Sequence, residues 1–357
     1  MKKIGLFITL LMLLACSRSE NVSPEIEPVI EEKILEIKGA DLSYLPEIRQ
    51  SGILLKNADG LVEDALLSLK KAGVNTIRLR LWKNPISPNS SFQSVKSLSQ
   101  EIKSMGLKLM LSVHYSDTWA DPGQQKKLLQ WENLSLPSLK DSVSAYTQKI
   151  VREINPEYLQ VGNEINNGFI FPEGSMQNLS QIKTLLKSGI DAAKSVNPNV
   201  KIILHYAGYQ DANIFYSHFS DLNYDIMGLS YYPLWHGKNL TELQTQLNQI
   251  SQTQNKPIFI AETSYPFTLQ WNDQIHNVIG DNAQILSQFS ATREGQKQYL
   301  QEIKNIMINI PKGIGFCYWG TEWIAYKGAD ATEGSSWENQ AFWDFNNQLL
   351  PVSEVYK

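Results

Sequence analysis

From about residue 34 onward, this chain alternates short apolar runs of strand period with longer amphipathic runs of helical period, without a break in composition. Ile34–Gly39 reads as a strand and Leu61–Ala72 as a helix. Thr76–Leu81 is followed by Phe92–Met105, Lys108–Val113 by Ser138–Ile154, and Tyr158–Gly162 by Ser180–Ser195. The series continues with Lys201–Leu204 and a helix within Ala212–Leu222, Ile226–Leu229 and Leu240–Thr253, Pro257–Ala261 and Arg293–Ile310. A last strand, Gly313–Tyr318, leads into a long loop. Strands separated by helices pair in parallel with the helices packed outside, and eight such units predict a single (β/α)8 TIM barrel. An open doubly wound sheet is the competing architecture. It wants a glycine-rich phosphate loop after its first strand, and Gly39-Ala40-Asp41-Leu42-Ser43 is not one. The 357 residues, 42% hydrophobic and 10% aromatic, suffice for one barrel spanning 34–357.

The first 33 residues carry a different signal. Lys2 and Lys3 precede an apolar run from Ile4 to Leu14 that is too short to span a bilayer, followed by Ala15-Cys16. Residues 1–15 therefore read as a signal peptide. Cys16 resembles the lipid-bearing first residue of a bacterial lipoprotein, with an ordinary signal and a chance cysteine as the alternative. Residues 16–33, acidic and interrupted by Pro24 and Pro28, read as a flexible tether. The expectation is an exported protein anchored by lipid to the outer membrane, at the cell surface or on the periplasmic face. Cys317, in Gly315-Phe316-Cys317-Tyr318, has the setting of a buried structural thiol, so no intrachain disulfide is expected. Lys plus Arg is 32 and Asp plus Glu 36, a net charge of −4, which gives no reason to expect a nucleic-acid partner. A neutral ligand fits this balance better, and a monomer is expected.

Two strands end abruptly on glutamate: Leu159-Gln160-Val161-Gly162-Asn163-Glu164 and Ile258-Phe259-Ile260-Ala261-Glu262. Carboxylates are seldom left at the mouth of an apolar strand unless paired or chemically active. In a barrel, both would sit at the C-terminal rim, where two-carboxylate chemistry on a glycosidic bond is built. Strand parity in Ile77-Arg78-Leu79-Arg80-Leu81-Trp82 turns Arg78, Arg80 and Trp82 to the face opposite the aliphatic residues. A buried Arg78 wants a carboxylate, and Glu262, following Ile258 and Ile260 inward by parity, is its expected partner. A structural ion pair at the rim is the alternative reading of Arg78.

His114-Tyr115-Ser116-Asp117-Thr118-Trp119-Ala120-Asp121-Pro122 gathers flat rings, donors and acceptors after the third strand, the mixture that binds sugars. Similar mixtures occur at Ser230–His236 and Trp319–Trp323. Any single tryptophan among them is equally at home in packing. Long segments after strands three, four, seven and eight (Tyr115–Pro137, Asn163–Leu179, Thr263–Thr292, Trp319–Gln340) would wall a cleft suited to a polymer. Serine-elbow, His-Glu-x-x-His and Walker patterns are absent from the sequence, and the five histidines, His205, His218 and His276 among them, show no metal-ligand spacing.

These stretches, with Gly228-Leu229-Ser230-Tyr231-Tyr232-Pro233 and Ala261-Glu262-Thr263-Ser264-Tyr265-Pro266, resemble glycosyl hydrolase clan A, and within it the family 53 endo-β-1,4-galactanases. The likeness covers essentially the whole globular chain. It implies a retaining mechanism on the β-1,4-galactan of pectin, with Glu164 as acid/base and Glu262 as nucleophile. It further implies that Arg78 keeps Glu262 ionised, that Tyr231 orients it, and that Asn163 bonds the sugar 2-hydroxyl. Arg80, Trp82, His114, Tyr115, Asp117, Trp119, Asp121 and Trp319 are the expected supporting and substrate-binding residues. Another clan A endo-glycanase, such as a mannanase or cellulase, shares the catalytic pair, and a non-catalytic glycan-binding lipoprotein is the third possibility. Some bacterial members carry a calcium-binding Asp-x-Asp-x-His-x-Asn run after strand seven. Here that region reads Trp271-Asn272-Asp273-Gln274-Ile275-His276-Asn277, too poor in oxygen ligands for a hard cation, so neither metal nor cofactor is expected.

Overall fold

The computed structural model describes residues 33–357. The expected signal peptide, the tether up to residue 32 and Cys16 lie outside the described residues. Eight parallel strands close into a barrel in sequence order: β1 (Ile37–Asp41), β2 (Thr76–Leu81), β3 (Lys108–Val113), β4 (Tyr158–Val161), β5 (Lys201–Ala207), β6 (Ile226–Ser230), β7 (Ile258–Thr263) and β8 (Gly313–Tyr318). Helices α1 (Leu45–Ser51) and α2 (Ala65–Ala72) follow β1, α3 (Phe92–Ser104) follows β2, and α4 (Leu136–Glu153) follows β3. Then come α5 (Leu179–Val196), α6 (Ala212–His218), the short α7 (Pro233–His236), α8 (Leu240–Thr253) and α9 (Arg293–Asn309). None of the described helices is long and apolar enough to cross a membrane.

Local chemistry sets these boundaries. The helix expected from Leu61 begins at Ala65, because the Asp64 side chain accepts from Leu66 N–H and fixes the N-terminus there. Ser91, Asn178, Asn239 and Thr292 cap α3, α5, α8 and α9 in the same way. Val95, Leu98 and Ile102 place a buried stripe on α3 at helical spacing. Besides the short α7, two elements depart from the simple alternation. Leu45–Ser51 is a helix with Pro46 in its first turn, where a missing N–H costs nothing. After β8 a 3-10 turn, Pro351–Tyr356, replaces a full helix and buries Val352, Val355 and Tyr356.

The barrel holds two kinds of interior. Ile37, Met110, Tyr158, Ile203, Ile226, Phe259, Ala261 and Cys317 pack its apolar centre, while the larger core lies between strands and helices. Cys317 is buried against Gly39, where an added Cβ would come within 2.9 Å of the cysteine Cβ. Toward the C-terminal mouth the lining becomes polar, with Asp41, Arg78, Ser112, Gln160, His205 and Ser230 all buried.

Strand β7 corrects the parity argument. Ile258 and Ile260 face the helix layer, and Phe259 and Ala261 face inward. Continued alternation would send Glu262 outward. Leu229 pairs with Ile260, but Ser230 pairs with Glu262, so one extra residue is accommodated as a bulge. The bulge puts Glu262 inward next to Ala261 and turns Thr263 out to the Tyr299 hydroxyl on α9. The side chain expected inside is inside, by a different route.

Candidate active site

The end of β4 is shaped by backbone before side chains. Gly162 adopts φ 85°, and a Cβ there would meet the Ile165 side chain at 2.6 Å. Glu164 itself lies in the left-handed region at φ 45°. A non-glycine residue there costs of the order of 1–3 kcal/mol, a cost that surrounding contacts must offset. Those contacts are present: the Gln125 side-chain amide donates to the Asn163 carbonyl at 2.8 Å, and Ile165 N–H donates to the His205 carbonyl at 2.9 Å.

Glu262 sits at the end of β7, 6% exposed, with two side-chain donors on its carboxylate. Arg78 Nη2 donates to Oε1 at 2.6 Å, and the Tyr232 hydroxyl donates to Oε2 at 2.9 Å. The same guanidinium donates to Asp41 Oδ2 at 2.8 Å, to Gln160 Oε1 at 2.7 Å and to Asn163 Oδ1 at 2.9 Å. Arg78 therefore serves two carboxylates and two amides from a buried position, which fixes the rim geometrically. Among the described residues no cation forms an ion pair with Glu164. Its Oε1 accepts from the Ser230 hydroxyl at 2.5 Å.

These surroundings separate the two acids. Burial, and then the Glu262 charge, push the Glu164 carboxyl up to about 8, so it holds a proton at neutral pH. Burial pushes Glu262 upward as well, but Arg78 and the Tyr232 hydroxyl pull it back toward the ionised form. The shared proton resides on the glutamate without the arginine. Paired carboxyls with divided protonation can act as acid and nucleophile in one reaction.

Glu164, Glu262, Arg78, Arg80, His114, Trp119, Asp121, Asn163 and Trp319 all border one cavity of ≈ 440 Å3 at the barrel mouth. His114 Nδ1 accepts from Trp82 Nε1 at 3.2 Å and from Ala120 N–H at 3.1 Å, so its proton resides on Nε2. Burial and the neighbouring Arg80 and Arg78 keep this ring neutral. Asn163 gives one amide hydrogen to the Ala120 carbonyl at 2.9 Å and retains a second. The Arg80 guanidinium lies over the rings of Trp119, Trp82 and Tyr44 at 4.1, 4.4 and 4.7 Å, which braces the loop carrying Trp119.

Four expected site residues lie elsewhere. Trp82 stands behind the wall, supporting Arg80 and His114. Tyr115 is turned to the helix layer, where its hydroxyl meets Thr147 of α4 at 2.7 Å. Asp117 holds the backbone N–H groups of Asn84 and Leu129, tying loops together. Tyr231 donates to the Gly237 carbonyl at 2.8 Å, and the tyrosine on Glu262 is Tyr232 instead. At the end of β6 the paired tyrosines point opposite ways, and local spacing alone does not say which enters.

The cavity also takes in Tyr232, Trp235, His236 and Trp337. Trp337 packs at 4.7 Å from Trp319 and anchors its indole N–H on Ser264. It comes from a loop with no periodic signal. Gln160 and His205, polar residues inside apolar strands, were not among the expected site residues, and Ser230 stood only at the head of the Ser230–His236 mixture.

The loop after β7 does not offer a hard cation a shell. Trp271 and Ile275 supply no side-chain oxygen, and Asp273 spends its carboxylate on Ile275 N–H at 2.7 Å and Ser335 N–H at 2.9 Å. Glu338 accepts from Asn272 N–H, and burial pushes its carboxyl up to about 7.

A closed parallel barrel whose mouth holds two adjoining carboxyls, one ion-paired and one protonated, beneath tryptophan walls defines a glycoside hydrolase. Known proteins agree. The family model "Glycosyl hydrolase family 53" matches residues 37–356, and this chain belongs to that family. An endo-beta-1,4-galactanase of Bacillus subtilis is 30% identical, over 90% of this chain and 85% of that one. An arabinogalactan endo-beta-1,4-galactanase of Cellvibrio japonicus is 31% identical, covering 89% and 90%. The solved family 53 catalytic domain of Ignisphaera aggregans superposes with a TM-score of 0.87 at 34% identity, covering 93% of this chain and 98% of that one.

Proposed function

We propose that this protein is a retaining endo-β-1,4-galactanase that cuts internal bonds of pectic galactan. The observation that carries the mechanism is the carboxyl spacing. One carboxyl oxygen of Glu164 lies within 4.8 Å of one of Glu262, a close approach of the two groups. Inverting enzymes hold their carboxyls about 6.5–9.5 Å apart to admit a water, whereas retaining ones hold them about 5–5.5 Å apart. The short separation supports direct attack by Glu262 on the anomeric carbon while Glu164 protonates the departing oxygen. Having given its proton to the departing oxygen, Glu164 is a carboxylate, and ester formation removes the Glu262 charge that had disfavoured that ionised form. Glu164 then takes a proton from the water that hydrolyses the ester. Asn163 keeps one amide hydrogen for the sugar 2-hydroxyl, and His114 offers Nε2–H to another hydroxyl.

The long loops after β3, β4, β7 and β8 and the walls of Trp119, Trp319 and Trp337 suit an extended chain of neutral sugars. The galactan assignment rests on the relatives' named activity and on this match of site to substrate class. Linear galactan digested over time should yield oligomers of mixed length before galactose. Faster hydrolysis of mannan or cellulose would overturn the substrate and leave the mechanism in place. Glu164→Ala with azide and an activated aryl galactoside should give product of retained configuration, and Glu262→Ala with azide the inverted one. Exchanged outcomes would reverse the roles. We further propose that Cys16 carries the lipid that anchors the enzyme to the outer membrane. Cys16→Ala should then leave the membrane fraction, and wild-type protein recovered as soluble, unlipidated material would defeat the idea.

A further inference from the structure

One buried polar chain is not needed to explain the pairing of Glu262. Arg78 Nε donates to Gln160 Oε1 at 2.7 Å, which fixes that amide and leaves its Nε2 facing His205 Nδ1 at 2.9 Å. The other imidazole nitrogen, Nε2, lies 2.9 Å from Ser230 Oγ. Ser230 in turn reaches Glu164 Oε1. Gln160, His205 and Ser230 are all fully buried.

The proton directions follow from the arginine. Arg78 can only donate, so Gln160 Oε1 accepts and Gln160 Nε2 donates to Nδ1. Asn163 Oδ1, also 3.2 Å from Nδ1, already accepts from Arg78 and from Ser112 Oγ. Burial and Arg78 keep the His205 ring neutral, so it carries a single proton, on Nε2, donated to Ser230. The one hydroxyl hydrogen of Ser230 is then committed to Glu164 Oε1. Of the two oxygens of a protonated carboxyl the carbonyl one is the stronger acceptor, so this bond favours Oε1 as the carbonyl oxygen and the proton on Oε2.

We propose that Ser230, oriented through Gln160 and His205 from Arg78, is a positioning residue that fixes the acid proton of Glu164 on Oε2. The relay makes the acid one-handed, with Oε1 held by the protein and Oε2–H free for the departing glycosidic oxygen. This rests on Glu164 being the acid. The other charged or titratable groups facing Glu164 are Glu262, Arg78, Asp121 and Tyr232, with His205 behind Ser230.

The test compares kcat/KM for galactan, whose leaving group needs the proton, with kcat/KM for a dinitrophenyl β-galactobioside, whose leaving group does not. Ser230→Ala should lose at least about 10-fold on galactan, the scale of one hydrogen bond to the charge that Glu164 develops as it gives up its proton, and little on the aryl substrate. Its alkaline pH limb should move up by about one unit, because the Glu164 carboxylate loses a donor. Ser230→Thr, which keeps the hydroxyl, should restore both. His205→Phe should reproduce the substrate split. Glu164→Ala, run in parallel, separates the two ideas. If it shows no split, the acid assignment fails and takes this proposal with it. If Glu164→Ala splits the substrates while Ser230→Ala lowers both equally with an unmoved limb, the assignment stands and the positioning role is overturned.

Discussion

The paired tyrosines after β6 offer a sharp comparison, because adjacent residues of one type have been sorted into different work. Tyr232→Phe removes one hydroxyl, which donates to Glu262 Oε2 at 2.9 Å, without altering the ring that packs against Trp235 and Trp337. Arg78 remains on Oε1, so the carboxylate stays paired and one of its oxygens goes bare. A hydrogen bond to a charged group contributes about 1.5–3 kcal/mol, equivalent to roughly 10–150-fold in a rate or equilibrium constant. A kcat/KM loss in that range is expected. The acid limb of the pH profile should move upward, because losing a donor disfavours the ionised nucleophile. Tyr231→Phe removes a hydrogen bond to the Gly237 carbonyl at 2.8 Å and touches neither glutamate. It should cost about 0.5–1.5 kcal/mol of stability, read by chemical denaturation, with kcat/KM and both limbs unchanged. Steady-state kinetics on galactan from pH 4 to 10 would decide it. An acid limb that moves in Tyr231→Phe, or stays put in Tyr232→Phe, would refute the reasoning.

The wild-type kcat/KM should fall as pH rises through about 8, where Glu164 loses the proton it must donate, and Glu164→Gln should abolish that limb along with most activity on galactan. Arg78→Met strands the buried carboxylates of Asp41 and Glu262. It should cost about 3–5 kcal/mol of stability besides inactivating the enzyme, and a denaturation midpoint equal to wild type would contradict it. Gly162→Ala drives a Cβ into Ile165 at a left-handed position. Activity should drop with stability, and a fully active variant would show that β4 ends less rigidly than described. Chelator treatment should leave melting temperature and rate unchanged, since Asp273 and Glu338 accept from backbone amides; a lower melting temperature would point to a bound cation.

The sequence by itself determined the barrel and the two glutamates. Hydrophobic period is a local property of consecutive residues, and β2, β3 and β8 run over the residues that the pattern outlines, as does α8. A glutamate ending an apolar strand is equally local, which is why Glu164 and Glu262 were legible. So was the need of Arg78 for an acid. Tertiary structure decided what depends on partners distant in the chain. The bulge opposite Ser230 carries Glu262 inward against the parity of its own strand, and no residue within β7 announces it. The choice of Tyr232 over Tyr231 follows from where that bulge leaves the carboxylate. Tyr115 and Asp117 belong to a stretch rich in sugar-binding residue types, yet turn away to Thr147 and to loop amides. Trp337 reaches the cavity from a loop without period. The path from Arg78 through Gln160, His205 and Ser230 to Glu164 exists only because closing the barrel places β2, β4, β5 and β6 around one axis. Side-chain chemistry can be read along a chain, but which oxygen a hydroxyl reaches is settled by the packing of strands against each other.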